Sequence, residues 1–367
     1  MKKILSALVL FILSICVVFS QPEQEILKSC IGKVTKIQYI DTTNNNIAEY
    51  RQHVSVKILD GDFKNEIISV ENMLTGNPYY DINLKEGSKV ILHVENIGGD
   101  YVFSIQDIKR SDTLVVLAII FCGLLVYVGR RKGVCSLISI ALTCLLIHKI
   151  LSPMILAGIS PIVATLLICL LSTAITMYLV GGFNRKSTSA TLGCILSIIF
   201  AYIMSLLTVK FASLTGFSNE HSIFLLSAHP QLNFVGIAVS AMLLATLGAV
   251  MDIAMSIAST INEIYTVDNT QTVKELFNCG MNVGRDIIGT MANTLILVYL
   301  GSSLPLLLLA SNIDFAKFIN LNQVVTEIAS ALIGSCALVI CVPLTALVTS
   351  ELIKNMPEKI ELTKIND

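Results

Sequence analysis

The sequence predicts a membrane-embedded, all-α helical bundle of about seven spans, with an N-terminal anchor or signal segment and a small extracytoplasmic all-β domain. Three observations predict it. The 367-residue chain is 54% hydrophobic and only 14% charged, where soluble domains carry about a quarter charged residues; its mean hydropathy is +0.76. Its apolar residues gather into long runs, each able to cross ~30 Å of hydrocarbon as a helix. Between the first run and the others lies a charged stretch in which apolar and polar residues alternate.

The chain opens with "MKKILSALVLFILSICVVFSQ", two lysines followed by an uncharged run from Ile4 to Ser20. Such a run is either a signal peptide or a first transmembrane anchor. It is long for the apolar core of a signal and lacks an Ala-x-Ala-like cleavage site, which favours an anchor over residues 1–21. Both readings place the following residues outside the cytoplasm.

Residues 22–110 have a different character. Short β-rich runs such as "YRQHVSVKILDGD", "NEIISVEN", "GSKVILHVEN" and "YVFSIQDI" are separated by turn pairs at Asp60-Gly61, Asn77-Pro78 and Gly98-Gly99. Within "HVSVKIL", Val54, Val56 and Ile58 alternate with Ser55 and Lys57, the period of a strand with one buried face. About five strands in this length suit a small closed barrel, OB-like as the first expectation. A three- or four-stranded sandwich is the alternative.

From Thr113 onward the chain is nearly all membrane. Apolar runs centre on residues 114–129, 134–151, 154–181, 189–209, 233–257, 287–310 and 325–349, giving a polytopic domain over 111–353 and a tail over 354–367. Arg130-Arg131-Lys132, Arg185-Lys186, Lys274, Arg285 and the tail lysines Lys354, Lys359 and Lys364 all fall at the ends expected inside. The short outer loops carry only Lys149, Lys210 and Lys317. That asymmetry follows the positive-inside rule and predicts a cytoplasmic C-terminus.

The stretch "GAVMDIAMSIASTINEI" (248–264) is polar where apolar residues are expected. On a helix, Asp252, Ser256, Ser259 and Glu263 occupy positions i, i+4, i+7 and i+11 and share one face. Ile253, Ala254, Ile257 and Ile261 fill the others. The pattern recurs 34 residues later: "DIAMSIAST" (252–260) aligns with "DIIGTMANT" (286–294). Asp286, Thr290 and Asn293 repeat the face, with Arg285 beside them. A carboxylate against lipid is costly, so these faces are expected to meet other helices, a water-filled cavity or the inner membrane surface. Ser, Thr and Asn also serve as glue between packed helices, and Asp286 also reads as a helix N-cap. The connecting segment, with Val273, Leu276, Phe277 and Met281 on one face, reads as an amphipathic helix at the inner surface.

At these residues the chain resembles the YibE/F-like family of bacterial membrane proteins. The motifs that carry the resemblance are "LGAVMDIAMSIASTINEI", "GMNVGRDIIGTMANTLILVYLGSSLPLLL" and "GGFNRKSTSATLG". It extends over essentially the whole mature chain, and implies the N-terminal anchor, the outer β region and the multi-span bundle. It carries over no catalytic residue, cofactor or substrate.

Other chemistry finds little support. Cys122, Cys135, Cys144, Cys169, Cys194, Cys336 and Cys341 lie in apolar spans, where a thiol behaves as a small hydrophobe. Cys30 alone lies in the polar N-terminal region, so that region has no internal disulfide. There is no Cys-x-x-Cys, P-loop, Gly-x-Ser-x-Gly or His-Glu-x-x-His, so neither a metal nor a cofactor is expected. His221 and His229, with Glu220, sit in an outer loop without metal-ligand spacing. An intramembrane aspartyl protease would use paired aspartates, but the Gly-x-Gly-Asp surroundings are missing, and no enzyme activity is expected. Pro153, Gly158 and Pro161 read as an outer hairpin turn rather than a broken helix. The net charge of −1 says nothing about nucleic acid, but no Lys/Arg run resembles a binding stripe, and no nucleic-acid partner is expected.

The expected partners are the lipid bilayer, an unidentified small solute or ion, and a membrane-protein partner or second copy. Two functions fit. One is a permease-like bundle moving a small solute, ion or lipid past Asp252 and Asp286 in the bacterial plasma membrane. The other is a non-transporting scaffold or sensor whose outer β domain binds a partner.

Overall fold

A computed structural model describes residues 29–41, 50–97, 100–218 and 220–355. The segment 1–21, the pair Gly98-Gly99, and Lys359 and Lys364 lie outside the described residues. The chain divides into two compact units, one running to Tyr127 and the other from Val128 onward.

The first unit is built on five strands: β1 (Ser29–Asp41), β2 (Tyr50–Ile58), β3 (Ile67–Leu74), β4 (Lys89–Ile97) and β5 (Asp100–Ile108). Their order is β3-β2-β1-β4-β5, with every bonded pair antiparallel. β3 and β5 also approach one another, which nearly closes the sheet into a barrel. The barrel forms, not the sandwich. Bulges between Val34 and Lys36 and between Ile91 and Leu92 add the local bend that such curvature needs.

Alternation produces the barrel's interior. Val54, Val56 and Ile58 are fully buried, joined by Val34, Val70, Val90 and Leu92. Gln52 continues the same face and is also buried. Its side-chain oxygen accepts from the Asn72 amide at 2.8 Å, and the same amide donates to the Ile82 carbonyl at 2.9 Å. Asn72 stands opposite Gln52 in the register, so two polar residues meet inside an otherwise apolar barrel. Phe63 packs edge-on against Tyr101 and Phe103. Gly61, at the expected Asp60-Gly61 turn, has φ +77°, a backbone region open to glycine at no steric cost.

Cys30 projects into this interior at 6% exposure. Burial, with the nearby Asp60 charge, pushes its thiol pKa up. With its other nine cysteines replaced, the folded protein is expected to resist alkylation at neutral pH and to react promptly once the barrel is unfolded by urea. Equal rates in both states would contradict the burial. The sign of the pH effect follows. The unfolded chain ionises this thiol near its ordinary value of about 8.5, and the folded barrel resists ionisation, so barrel stability falls as pH rises past that range.

The remaining chain is helical. α1 (Ser111–Leu146) runs through a π-helical turn at 147–151 into α2 (Ser152–Leu156). There follow α3 (Pro161–Gly181), α4 (Arg185–Phe211), α5 (Glu220–Ala228) and α6 (Phe234–Val267). The last are α7 (Val273–Ser302), α8 (Leu304–Leu309), α9 (Phe315–Ile319) and α10 (Asn322–Asn355). Asp112, in the first turn of α1, pairs with both Lys89 and Lys109 at 2.6 Å.

Seven spans are not confirmed: six helices among the described residues are long and apolar enough to cross a membrane. The difference lies at the start. Runs 114–129 and 134–151 fall in one helical stretch, Ser111–Leu156, with Gly129 and Gly133 on either side of Arg130-Arg131-Lys132. A continuous helix of that length would extend ~70 Å, over twice the hydrocarbon thickness. It is interrupted at Arg130, whose φ of 48° and ψ of −127° are not helical.

The other starts and stops have local causes. Asn184 and Asn233 cap α4 and α6 by accepting from the Ser187 and Gly236 amides, as N-cap residues do. Thr272 and Glu275 close a reciprocal capping box at the start of α7. The segment read as a separate surface helix is therefore the first part of α7, with Leu276 buried and Phe277 and Met281 packed on the core. Between α2 and α3, Gly158 at φ +87° makes the turn and Pro161 starts the next helix. His221 lies in the short α5.

α4, α6 and α10 meet at the centre of the helical unit. Cys194, Ile198 and Ala201 of α4 join Val239, Leu243 and Ile257 of α6 and Ala337, Cys341 and Ala346 of α10 in one buried cluster.

Candidate functional site

The polar face of α6 forms where helical spacing puts it. Ile253, Ala254, Ile257, Ala258 and Ile261 are buried, with Asp252, Ser256 and Glu263 exposed and Ser259 half-buried. Asp252, Ser256 and Glu263 turn away from the chain's own helices, and Ser259 sits beside α4. Ser256 returns its hydroxyl to the Asp252 carbonyl at 2.8 Å, and Lys186 of α4 donates to the Ser259 hydroxyl at 3.4 Å. The carboxylates of Asp252 and Glu263 have no partner among the described residues.

α7 turns its glycines inward and its polar groups outward. A Cβ built on Gly280 would lie 2.6 Å from Ile261 Cδ1 and 3.1 Å from Ala346 Cβ; one on Gly284 would lie 2.2 Å from Val342 Cγ1. These glycines let α7 lie close against α6 and α10. On the opposite face Arg285, Asp286, Thr290 and Asn293 are exposed. Arg285 donates to the Asn282 side chain at 3.1 Å, Thr290 closes on the Ile287 carbonyl at 2.9 Å, and Asp286 has no partner among the described residues.

The depth relation between the two aspartates follows from helix register. Gly280 lies against Ile261, and Thr246 and Leu295 both lie against Gly334, so α6 and α7 run antiparallel side by side. Counting from the first contact sets Asp286 level with Met255. Asp252 and Asp286 thus differ by about 4–5 Å along the helix axes. They are at similar depth, but no hydrogen bond or ion pair joins the two faces among the described residues.

The polar residues that the bundle buries are different ones, short hydroxyls that carry no charge to mark them in the sequence. Ser187, Ser189, Thr191, Ser197 and Ser205 of α4 are buried, as are Thr345, Thr349 and Ser350 of α10. A Cβ on Gly193 would lie 2.2 Å from the Thr345 hydroxyl oxygen, and Arg185 donates to the Ile353 carbonyl at 3.0 Å. Most of these hydroxyls bond within their own helix: Thr191 to Ser187, Ser197 to Gly193, Ser205 to Ala201 and Ser350 to Ala346. Back-bonding of this kind satisfies the hydroxyl locally and makes it compact filler between close helices. The signal was present in "GGFNRKSTSATLG" and the residues after it: Ser187, Thr191, Cys194, Ala201 and Ser205 recur at helical spacing. Among the described residues, no three His, Cys, Asp or Glu side chains cluster as a metal site.

Several long apolar helices with a closely packed interior mark a multi-pass membrane protein that carries a small β-barrel domain. Its family is equally plain. The chain belongs to the YibE/F-like protein family, whose profile matches residues 117–355, and the YibE/F family N-terminal domain matches residues 25–108. No curated protein and no solved structure matches it.

Proposed function

We propose that this protein is a non-enzymatic, permease-like component of the bacterial plasma membrane, moving a small solute, ion or lipid past the polar face of α6. One observation carries the reading. Asp252 follows an uncharged run from Phe234 to Met251, and its carboxylate has no partner among the described residues. A charge at membrane depth costs ~2.5–3.5 kcal/mol on insertion scales. Such a residue is ordinarily retained for what it does to a passing ion or polar group. Ser256, Ser259 and Glu263 extend the face toward the inner end, and Asp286, Thr290 and Asn293 offer a second face at similar depth.

The test uses the full chain in proteoliposomes, following protons, potassium and a fluorescent lipid in parallel. Asp252→Asn keeps shape and hydrogen-bonding capacity but removes the charge, and is expected to abolish the flux at normal abundance. Ser259→Ala loses one interhelical bond, of order 0.6–2 kcal/mol, and is expected to remain active. An active Asp252→Asn together with an unfolded Ser259→Ala would make the face a packing seam and remove the main support for transport. In that case the scaffold or sensor reading gains.

In the proposed topology, residues 22–110 are extracytoplasmic and the C-terminus is cytoplasmic, with the interruption at Arg130 as an inner turn between two crossings. The basic groups at 130–132, 185–186 and 354 support this orientation. A cysteine at Lys186, in a background lacking native thiols, is expected to react only with reagent admitted to the cytoplasm. If 111–156 crossed once, that site would label from outside.

A further inference from the structure

The outward face of α7 carries a cation next to an anion, neither of them ion-paired among the described residues. The Arg285 guanidinium reaches only the Asn282 side chain one turn back, and the Asp286 carboxylate reaches nothing. Both are exposed, and the opposite side of the helix is already occupied by Ile261, Val342 and Ala346 against Gly280 and Gly284. Toward the outer end the same face continues through Gly289, Asn293, Leu297 and Leu300. Nothing lies within 4 Å of where a Cβ on Gly289 would sit.

We propose that this face pairs with the same face of a second copy of the chain, in a two-fold dimer whose axis lies along the membrane normal. Two copies inserted with the same orientation form a closed pair only about such an axis. The axis keeps every residue at its own depth, so only groups of nearly equal height can meet across it. Arg285 and Asp286 differ by a single residue, about 1.5 Å of rise. Arg285 of each copy therefore meets Asp286 of the other, forming two reciprocal ion pairs. One turn along, Gly289 lets the helix backbones approach. Beyond it, Asn293 meets its own counterpart, and a carboxamide is self-complementary because it holds both donors and an acceptor. Leu297 and Leu300 complete the seam in the apolar outer half. This inference rests on charge and symmetry and does not depend on transport.

The experiment follows association of the full-length chain in native membranes and in mild detergent. A cysteine at Asn293, with native thiols replaced, is expected to crosslink two copies on oxidation. The purified protein is expected to run as a pair of 39.8 kDa chains. Arg285→Asp and Asp286→Arg should each bring like charges together and weaken the dimer about a hundredfold or more. The double exchange, Arg285→Asp with Asp286→Arg, should restore it, because both ion pairs re-form with reversed polarity. Thermal melting of each variant separates loss of pairing from loss of fold. A monomeric wild-type chain without crosslinking overturns the proposal. So does a dimer indifferent to both single reversals, or a folded double exchange that stays monomeric. Capture of a different membrane protein or an anionic lipid at Arg285, with no second copy, also overturns it.

Discussion

Replacing Gly193 by alanine is expected to lower the melting temperature of the helical unit by roughly 5–10 °C. The added methyl would lie 2.2 Å from the Thr345 hydroxyl oxygen and 2.9 Å from the Thr345 Cα. The second distance decides the outcome. A flexible side-chain end can swing aside, but Cα belongs to the backbone of α10, so α4 and α10 have to move apart. Their separation would loosen Cys194, Ile198 and Ala201 from Ala337 and Cys341 in the central cluster. Overpacking a filled interior typically costs about 1–3 kcal/mol. Gly248→Ala is the control, because nothing lies within 4 Å of its Cβ position. There, alanine's better helix propensity should stabilise by up to ~1 kcal/mol. Thermal melts of both variants check the pair. Equal responses would refute the close α4–α10 contact.

The second large effect is expected in the barrel, at Gly32. This residue of β1 faces inward, and a Cβ there would lie 2.3 Å from Val56 Cγ1 and 3.0 Å from Leu92 Cδ1. Val56 has no free rotor with which to yield, since β-branched side chains are stiff at χ1. Gly32→Ala alone should therefore destabilise the barrel by about 1–3 kcal/mol. Val56→Ala alone leaves a void and also destabilises. Combined, the two changes exchange volume across the same contact, and their cost should fall short of the sum by about 0.5–3 kcal/mol, the coupling expected of touching residues. The rate at which Cys30 becomes alkylated in urea reports each variant without signal from the helices. Strictly additive costs would show that Gly32 and Val56 do not compete for space.

The two units differ in how legible they were. In the barrel, the alternation of Val54, Val56 and Ile58 named the buried face in advance, because a strand has only two sides and one of them faced the core. The same alternation puts the polar Gln52 on the core face. Its burial became intelligible only with Asn72 opposite it in the register. In the helices, the run of 233–257 located α6 but understated its end at Val267. Hydropathy marks where lipid is, whereas a helix continues as long as packing and a cap support it. The Thr272–Glu275 box at the start of α7 is written in the sequence, within a segment whose polarity reads as a connector.

The sequence by itself determined the membrane class, the β domain, the family resemblance and which residues share each helix face. These follow from local periodicity and composition, which neighbours in space do not alter. What the faces meet was decided by tertiary structure alone. Asp252, Ser256 and Glu263 share a side of α6, and Asp286, Thr290 and Asn293 share a side of α7, as spacing required. Yet both sides turn outward, because Ile253, Ile257 and Ile261, and Gly280 and Gly284, are the groups that fit against the neighbouring helices. The interior took the short hydroxyls of α4 and α10 instead. A serine or threonine can satisfy its hydroxyl on its own helix and still allow close approach, whereas a buried carboxylate needs a partner, and none stands beside Asp252 or Asp286 among the described residues.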